Sequence, residues 1–315
     1  MSSHLRLPCL THVLCVLLGV FVLLHLPEGA VFAQKSSLYK KPPSGPKRDR
    51  TSVGGFESSQ WWLGVRVGTN LSKGSPTERY SIYQSTRLDA PEDLFDKKYN
   101  AFTRTGLEFG LNITYNFMGG WSAVMQPGFI RSRYEYLNQY AWLSETNENE
   151  RIFLDYTHTH TLDAIEVPLM VRYDFLSGAF VPYLQAGGYV SWVTRADQRV
   201  DVSGRDLAAG GTALFTNFTN LADVRNLYNN RNLGFIFGGG FHFTYGNARI
   251  TLEGNYRLGM SNLINPANRY TNQQLNGIGD TPDDVRLRSW AFNLGIAFPL
   301  KYWITDGYKS VNPKK

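Results

Sequence analysis

The sequence predicts an all-β protein: a closed, antiparallel, up-and-down transmembrane β-barrel of about eight strands with long extracellular loops. Three observations predict it. Past the first 33 residues no apolar run approaches the ~20 residues a spanning helix needs, yet aromatics reach 14% of the chain, glycines number 30, and charge is held to 18%. Apolar and small polar residues alternate with a period of two in segment after segment. The connections between those segments alternate strictly between very short and long, as barrels with periplasmic turns and external loops do.

The strands follow in order. Over 61–71, Trp61, Leu63, Val65, Val67, Thr69 and Leu71 share one face, and Trp62, Gly64, Arg66, Gly68 and Asn70 share the other. Over 106–117, Leu107, Phe109, Leu111, Ile113, Tyr115 and Phe117 oppose Gly106, Glu108, Gly110, Asn112, Thr114 and Asn116. The third segment, 121–134, is less regular near Arg131 and Arg133. The fourth, 162–175, sets Ile165, Val167, Leu169, Val171 and Tyr173 against Glu166, Pro168, Met170, Arg172 and Asp174. Segments 180–194, 233–245, 249–261 and 287–300 repeat the pattern, the last with Phe292, Leu294, Ile296 and Phe298 on the apolar face. Each is near or above the ~9–11 residues that cross a bilayer at a tilt. Turns fall at 118–120, 176–179 and 246–248, and loops at 73–104, 137–159, 195–232 and 262–286.

The wide apolar face is expected to meet lipid, and the Gly/Asn/Ser/Thr-rich face to fill a narrow lumen. Trp61, Trp121, Tyr115, Phe117, Tyr173, Phe175, Tyr245 and Phe298 fall near the short-turn ends, and Trp192 and Trp290 near the long-loop ends, where two aromatic girdles belong.

Outside the barrel (57–300) three segments read differently. Residues 1–33 read as a signal peptide: Arg6 supplies the positive start, Val13 to Leu26 the apolar run, and Val31-Phe32-Ala33 the small-residue cleavage pattern. Both cysteines, Cys9 and Cys15, lie inside it, so the mature chain carries no disulfide or thiolate site. Residues 34–56 are a basic, turn-rich, flexible periplasmic linker, and 301–315 a basic C-terminal tail. The net charge of +6 resides in these two tails. The barrel segment itself is slightly acidic, which argues against a nucleic-acid partner.

Arg66, Glu108, Glu166, Arg172, Glu253 and Arg257 are expected to point inward as a lumen charge network. They either satisfy one another and plug the barrel or line a charged constriction, and the plug is the expected outcome for so narrow a lumen. No metal site is expected. His158 and His160, two apart near Asp155 and Asp163, are the weak candidates, with exposed histidines the competing expectation. Gly277-Ile278-Gly279-Asp280 with Asp283 and Asp284 lacks EF-hand spacing and reads as turn chemistry. No Ser/His/acid set recommends itself, and no catalytic residue or cofactor is expected.

Four segments resemble a known family. Leu162-Asp163-Ala164-Ile165-Glu166-Val167-Pro168-Leu169-Met170-Val171-Arg172-Tyr173 is similar to the LEIPLLLKY strand of PorT-like outer-membrane β-barrel proteins of Bacteroidota. Val181-Pro182-Tyr183-Leu184-Gln185-Ala186-Gly187-Gly188-Tyr189 resembles their following PYLGAGPY strand, Tyr256-Arg257-Leu258-Gly259-Met260-Ser261-Asn262-Leu263 their penultimate strand, and Gly64-Val65-Arg66-Val67-Gly68-Thr69-Asn70-Leu71 their opening one. The resemblance implies an outer-membrane location and a lipid environment. It also implies a structural or interaction role among envelope or secretion-system proteins, type IX secretion included, and it supplies no catalytic residues. A small passive pore and a surface lipid-modifying enzyme are the alternatives.

Overall fold

The computed structural model describes residues 61–80, 97–117, 119–143, 151–207, 213–214, 217–245 and 247–300, without the side chains of 142–143 and 213–214. The expected signal peptide, linker and C-terminal tail lie outside the described residues. The strands are β1 (Trp61–Glu78), β2 (Lys98–Tyr99), β3 (Arg104–Asn116), β4 (Trp121–Met125), β5 (Gly128–Leu143), β6 (Arg151–Asp174), β7 (Phe180–Asp206), β8 (Ala213–Leu214), β9 (Phe218–Asp223), β10 (Arg231–Tyr245), β11 (Ala248–Gly259) and β12 (Asp284–Pro299). One short helix, α1 (Gln273–Gly277), lies in the connection before β12. No helix among the described residues is long and apolar enough to cross a membrane.

The antiparallel pairings return on themselves. β1 pairs β3 on one side and β12 on the other. β3 continues to β4 and β5, which pair β6; β6 pairs β7, then β10, β11 and β12 follow. β4 and β5 act as one broken strand, so the ring holds eight staves. The break at Gln126–Pro127 explains the irregular third segment: Pro127 has no N–H to give, and its carbonyl instead accepts from Leu111 N at 2.8 Å. Closure removes every sheet edge within the ring.

Period two then decides what each face meets. Trp61, Leu63, Val65 and Val67 are exposed outward while Trp62, Arg66 and Asn70 are buried inward. The outward apolar run on β12 spans Phe298 to Trp290, and on β7 Phe180 to Trp192. At ~3.3 Å per residue and a tilt of ~40° these spans are about 20 and 30 Å tall, the height of a hydrocarbon core. Beyond it the outward residues turn charged: Arg288 and Arg286 on β12, Arg231 on β10, Arg131 on β5, Arg195 and Asp197 on β7.

The structure corrects the expected loops. Residues 137–143 and 151–159 belong to β5 and β6, and 195–206 to β7, so these strands run on past the apolar band as a ladder that reaches Ile152–Asp206. β9 adds to β7 there, from Asp197–Asp223 to Val202–Phe218. A bulge in β7, where Asp163 pairs Arg195 and Ala164 pairs Val193, leaves Thr194 unpaired. It reverses which residues point inward: odd through Val193, even from Ala196.

Candidate functional site

The lumen is built from the inward faces of all eight staves. The short-turn end comes first, because the turns fix the register. Gly119 and Gly120 adopt φ of +71° and +83°, which glycine allows at little cost, and so close the β3–β4 turn. Just inside this end Trp62 lies under the Arg249 guanidinium at 3.9 Å. A cavity of about 300 Å³ opens here among Ser122, Asp174, His242 and Thr244.

Further in, the six sequence-predicted charges are all buried and fall into two linked groups. Arg66 Nη1 reaches Glu108 Oε1 at 3.3 Å. Arg257 Nη2 reaches Glu108 Oε2 at 2.8 Å as an ion pair without hydrogen-bond geometry, and Arg257 Nε donates to Glu166 Oε1 at 2.9 Å. Arg172 and Glu253 form the second group, 3.5 Å apart. Gln126 joins the groups: its backbone carbonyl accepts from Arg66 Nη2 at 3.3 Å, and its side-chain amide donates to Glu253 at 3.2 Å.

Neutral partners complete the network, and sequence reasoning had not singled them out. Gln185 accepts from Arg172 Nη2 at 2.9 Å and donates to Asn255 at 2.8 Å. The Tyr183 hydroxyl donates to Glu253 at 3.1 Å while its ring carries the Arg172 guanidinium at 3.9 Å. Gly240 makes room for it, since a Cβ there would stand 3.0 Å from the Tyr183 hydroxyl. Among the charges Val124, Met170, Tyr189 and Ile236 make a small apolar cluster, drawn from four different staves, with Met170 between Glu166 and Arg172 on β6. Each of the six charges thus has an opposite charge beside it inside the lumen, as buried charge requires, while Arg66 Nε, Arg257 Nη1 and Gln126 Oε1 have no hydrogen-bond partner among the described residues.

The loop end holds a second core. Leu162, Val193, Ala196, Val200, Val202, Val224, Leu227, Leu263, Ile264, Leu275 and Val285 pack together with Tyr134, Tyr136 and Tyr228. His158 and His160 lie in this core at 1% and 2% exposure, contrary to the exposed histidines expected from sequence. The reason is the ladder, which carries both inward under the connections. Tyr136 stacks on His158 at 4.5 Å and Tyr134 on His160 at 4.6 Å. Tyr228 shares a hydrogen bond with His160 Nδ1 at 2.7 Å and another with Tyr134 at 2.8 Å.

Asp280, read from sequence as a turn residue, is the acceptor at the centre of this cap. It accepts from Tyr136 at 2.9 Å and from Gln198 at 2.8 Å, with Lys97 Nζ at 3.6 Å. Gln198 also approaches His158 Nδ1 at 2.9 Å. Lys97 lies 3.1 Å from Asp283, which accepts from Tyr99 at 2.8 Å. Burial would raise the Asp280 carboxyl, but His158, Lys97, Gln198 and Tyr136 together hold it below the usual range. Burial drives His160 down to about 3 and lowers His158 as well, so both rings are neutral at pH 7. No group of three or more His, Cys, Asp or Glu side chains suited to a metal ion occurs among the described residues.

The outward aromatics gather at the short-turn end as expected. Trp61 and Tyr115 centroids lie 4.7 Å apart, Tyr115 and Phe117 5.0 Å, Trp121 and Tyr173 4.8 Å, and Tyr173 and Phe175 5.4 Å. At the other boundary Trp290 packs on Tyr256 at 4.7 Å.

A closed ring of eight antiparallel staves, apolar outside and polar within, between two aromatic levels, defines an integral outer-membrane β-barrel. The chain belongs to the outer membrane protein beta-barrel domain family, whose model matches residues 32–265. No curated protein matches it. Among solved structures it is similar to Ail, the attachment invasion locus protein of Yersinia pestis, at 12% identity over 76% of this chain and 99% of that one, with a TM-score of 0.29. Neisserial surface protein A is similar at 12% identity, 75% and 96% coverage and a TM-score of 0.28. The outer membrane protease OmpT of Escherichia coli is similar at 11% identity, 78% and 98% coverage and a TM-score of 0.28. At such values no role passes from them to this chain.

Proposed function

We propose that this outer-membrane barrel is a non-conducting, non-enzymatic envelope component, and that the β-extension at its loop end is an interaction surface for other envelope proteins. One observation carries the reading. The part of β5, β6 and β7 beyond the apolar band has its own buried core, capped by the 263–285 connection, so its surface is carried on packed structure. Rigid surfaces bind with less ordering cost than flexible ones. The filled lumen speaks against the pore reading. The histidines nearest the loop-end rim are stacked under tyrosines, which leaves them poorly placed as general bases for an enzyme. An accessory role in type IX secretion is the finer form of the proposal, and it rests on the PorT-like resemblance.

The test is in vivo cross-linking of the intact chain against a chain whose β6–β7 ladder is shortened above the Asp163–Arg195 pair. Loss of specific cross-linked envelope proteins, with the barrel still folded in the membrane, is the expected outcome. An unchanged cross-link profile overturns the proposal.

A further inference from the structure

At the loop-end edge of the apolar band the outward-facing cations differ from one side of the barrel to the other. Two sectors neutralise themselves. Arg131 makes a two-pronged pair with Asp163, at 2.6 and 2.7 Å. Arg195 meets Asp197 at 2.7 Å, and Arg199 meets Asp201 at 2.9 Å. The seam between β1 and β12 does the opposite. Lys73 stands directly across from Arg288, and Ser75 directly across from Arg286. Directly opposed residues of an antiparallel pair project to the same face, and like charges there are destabilising. Arg286 and Arg288, two apart on one strand, share that face with Lys73.

Among the described residues none gives Lys73, Arg286 or Arg288 a hydrogen bond or an ion pair. The next carboxylates along the ladder, Glu78 opposite Asp284, lie beyond Arg286, and Asp284 is taken by Arg269. The three cations are therefore held together with no anion from the described residues. Their depth identifies the missing partner. Leu71 pairs with Trp290, one step below Lys73–Arg288, and Trp290 with Tyr256 forms the aromatic level of this boundary. Interfacial aromatics sit at headgroup depth. The cations thus stand where the charged headgroups of the surrounding lipid begin.

We propose that the Lys73–Arg286–Arg288 cluster is a binding site for the phosphate of an outer-leaflet lipid. Two guanidinium groups and an ammonium suit a phosphate monoester, with arginine supplying paired donors and lysine a point charge. The bound phosphate relieves the repulsion between Lys73 and Arg288 and fixes the azimuth of one lipid against this seam.

The experiment titrates the folded, detergent-solubilised full chain with diphosphorylated lipid A in mixed micelles, and repeats the titration with the same lipid stripped of its phosphates. Three proteins are compared: the native chain, a Lys73→Gln/Arg288→Gln double variant, and an Arg195→Gln/Arg199→Gln double variant. Heat-modifiable migration verifies that each barrel is folded. The seam variant binds the phosphorylated lipid roughly tenfold or more weakly, the other variant binds it like the native chain, and the stripped lipid does not distinguish the three. Lys73→Glu adds a second reading. It supplies the missing anion opposite Arg288, so it raises the unfolding midpoint in phosphatidylcholine vesicles, and added lipid A stabilises it less than the native chain. Equal binding of phosphorylated lipid by the native and seam-variant proteins overturns the proposal. So does a preference for the phosphorylated lipid that inorganic phosphate at equal phosphorus abolishes, because the ligand is then free phosphate and not lipid.

Discussion

Arg257 Nη2 lies 2.8 Å from Glu108 Oε2 with both side chains shut off from solvent inside the barrel. The same guanidinium donates to Glu166, so one cation from β11 ties together acids from β3 and β6, which flank the β4/β5 stave. Removing it leaves Glu166 unpaired in the lumen. Arg257→Ala is expected to cost about 3–5 kcal/mol, the usual penalty for orphaning a buried charge. Reversible urea unfolding in lipid vesicles measures it. A loss below ~1 kcal/mol would mean that water or relaxation replaces the pairing.

The outer face yields a depth-dependent prediction. Leu294 is exposed near the middle of the apolar run on β12, and Ser203 is exposed on β7 well past Trp192. Leu294→Arg is expected to destabilise the folded barrel by ~2–4 kcal/mol, and Ser203→Arg by no more than ~0.5 kcal/mol. The same vesicle unfolding assay compares them.

Much of this architecture is legible in the sequence because a strand's period of two survives even where hydrophobicity is low. Val65 against Arg66 and Leu107 against Glu108 give the two faces directly, and with them the inward direction of the six charges. What the period cannot give is which charges meet. Arg257 finds Glu108 only because closure carries β3 and β11 to either side of a narrow lumen. The ladder beyond the membrane was hidden for a different reason. There the outward residues, Thr157, Thr159 and Thr161, are as polar as a loop, and apolar contrast no longer marks the strand. The inward run Tyr156, His158, His160 and Leu162 was the signal that could have extended β6. The β7 bulge at Thr194 further scrambles parity, so the partners of His158 and Asp280 required the fold.

The narrow lumen predicts intolerance of small additions. A Cβ on Gly238 would sit 2.2 Å from the Gly254 carbonyl and 2.4 Å from Asn255 Oδ1, whereas one on Gly277 meets nothing within 4 Å. Gly238→Ala is expected to lower the yield of heat-modifiable, folded barrel severalfold, and Gly277→Ala to leave it unchanged. Gel migration after refolding reads both.

The loop-end cap should loosen in acid. Burial holds His160 at about 3 and lowers His158, while an opened cap exposes imidazoles near ~6.5. Below pH ~6.5 the opened state therefore binds more protons than the closed one, and closure weakens as the pH falls toward 3. Asp280, held low, acts in the same direction, but only once the pH drops below ~4. Hydrogen exchange in 263–285, corrected for intrinsic rates, is expected to accelerate by up to tenfold per pH unit for each titrating histidine between pH 6 and 4.5. His160→Gln is expected to flatten that slope. A slope unaffected by the substitution would assign the acid response elsewhere.

Single-channel recording in planar bilayers tests the central claim of a filled lumen most directly. With the buried charge network and the Val124–Met170–Tyr189–Ile236 cluster inside the barrel, the purified protein is expected to give no discrete conductance steps. Uniform steps that change in size on Arg66→Ala or Glu166→Ala would contradict the account and make the same six charges the lining of a pore.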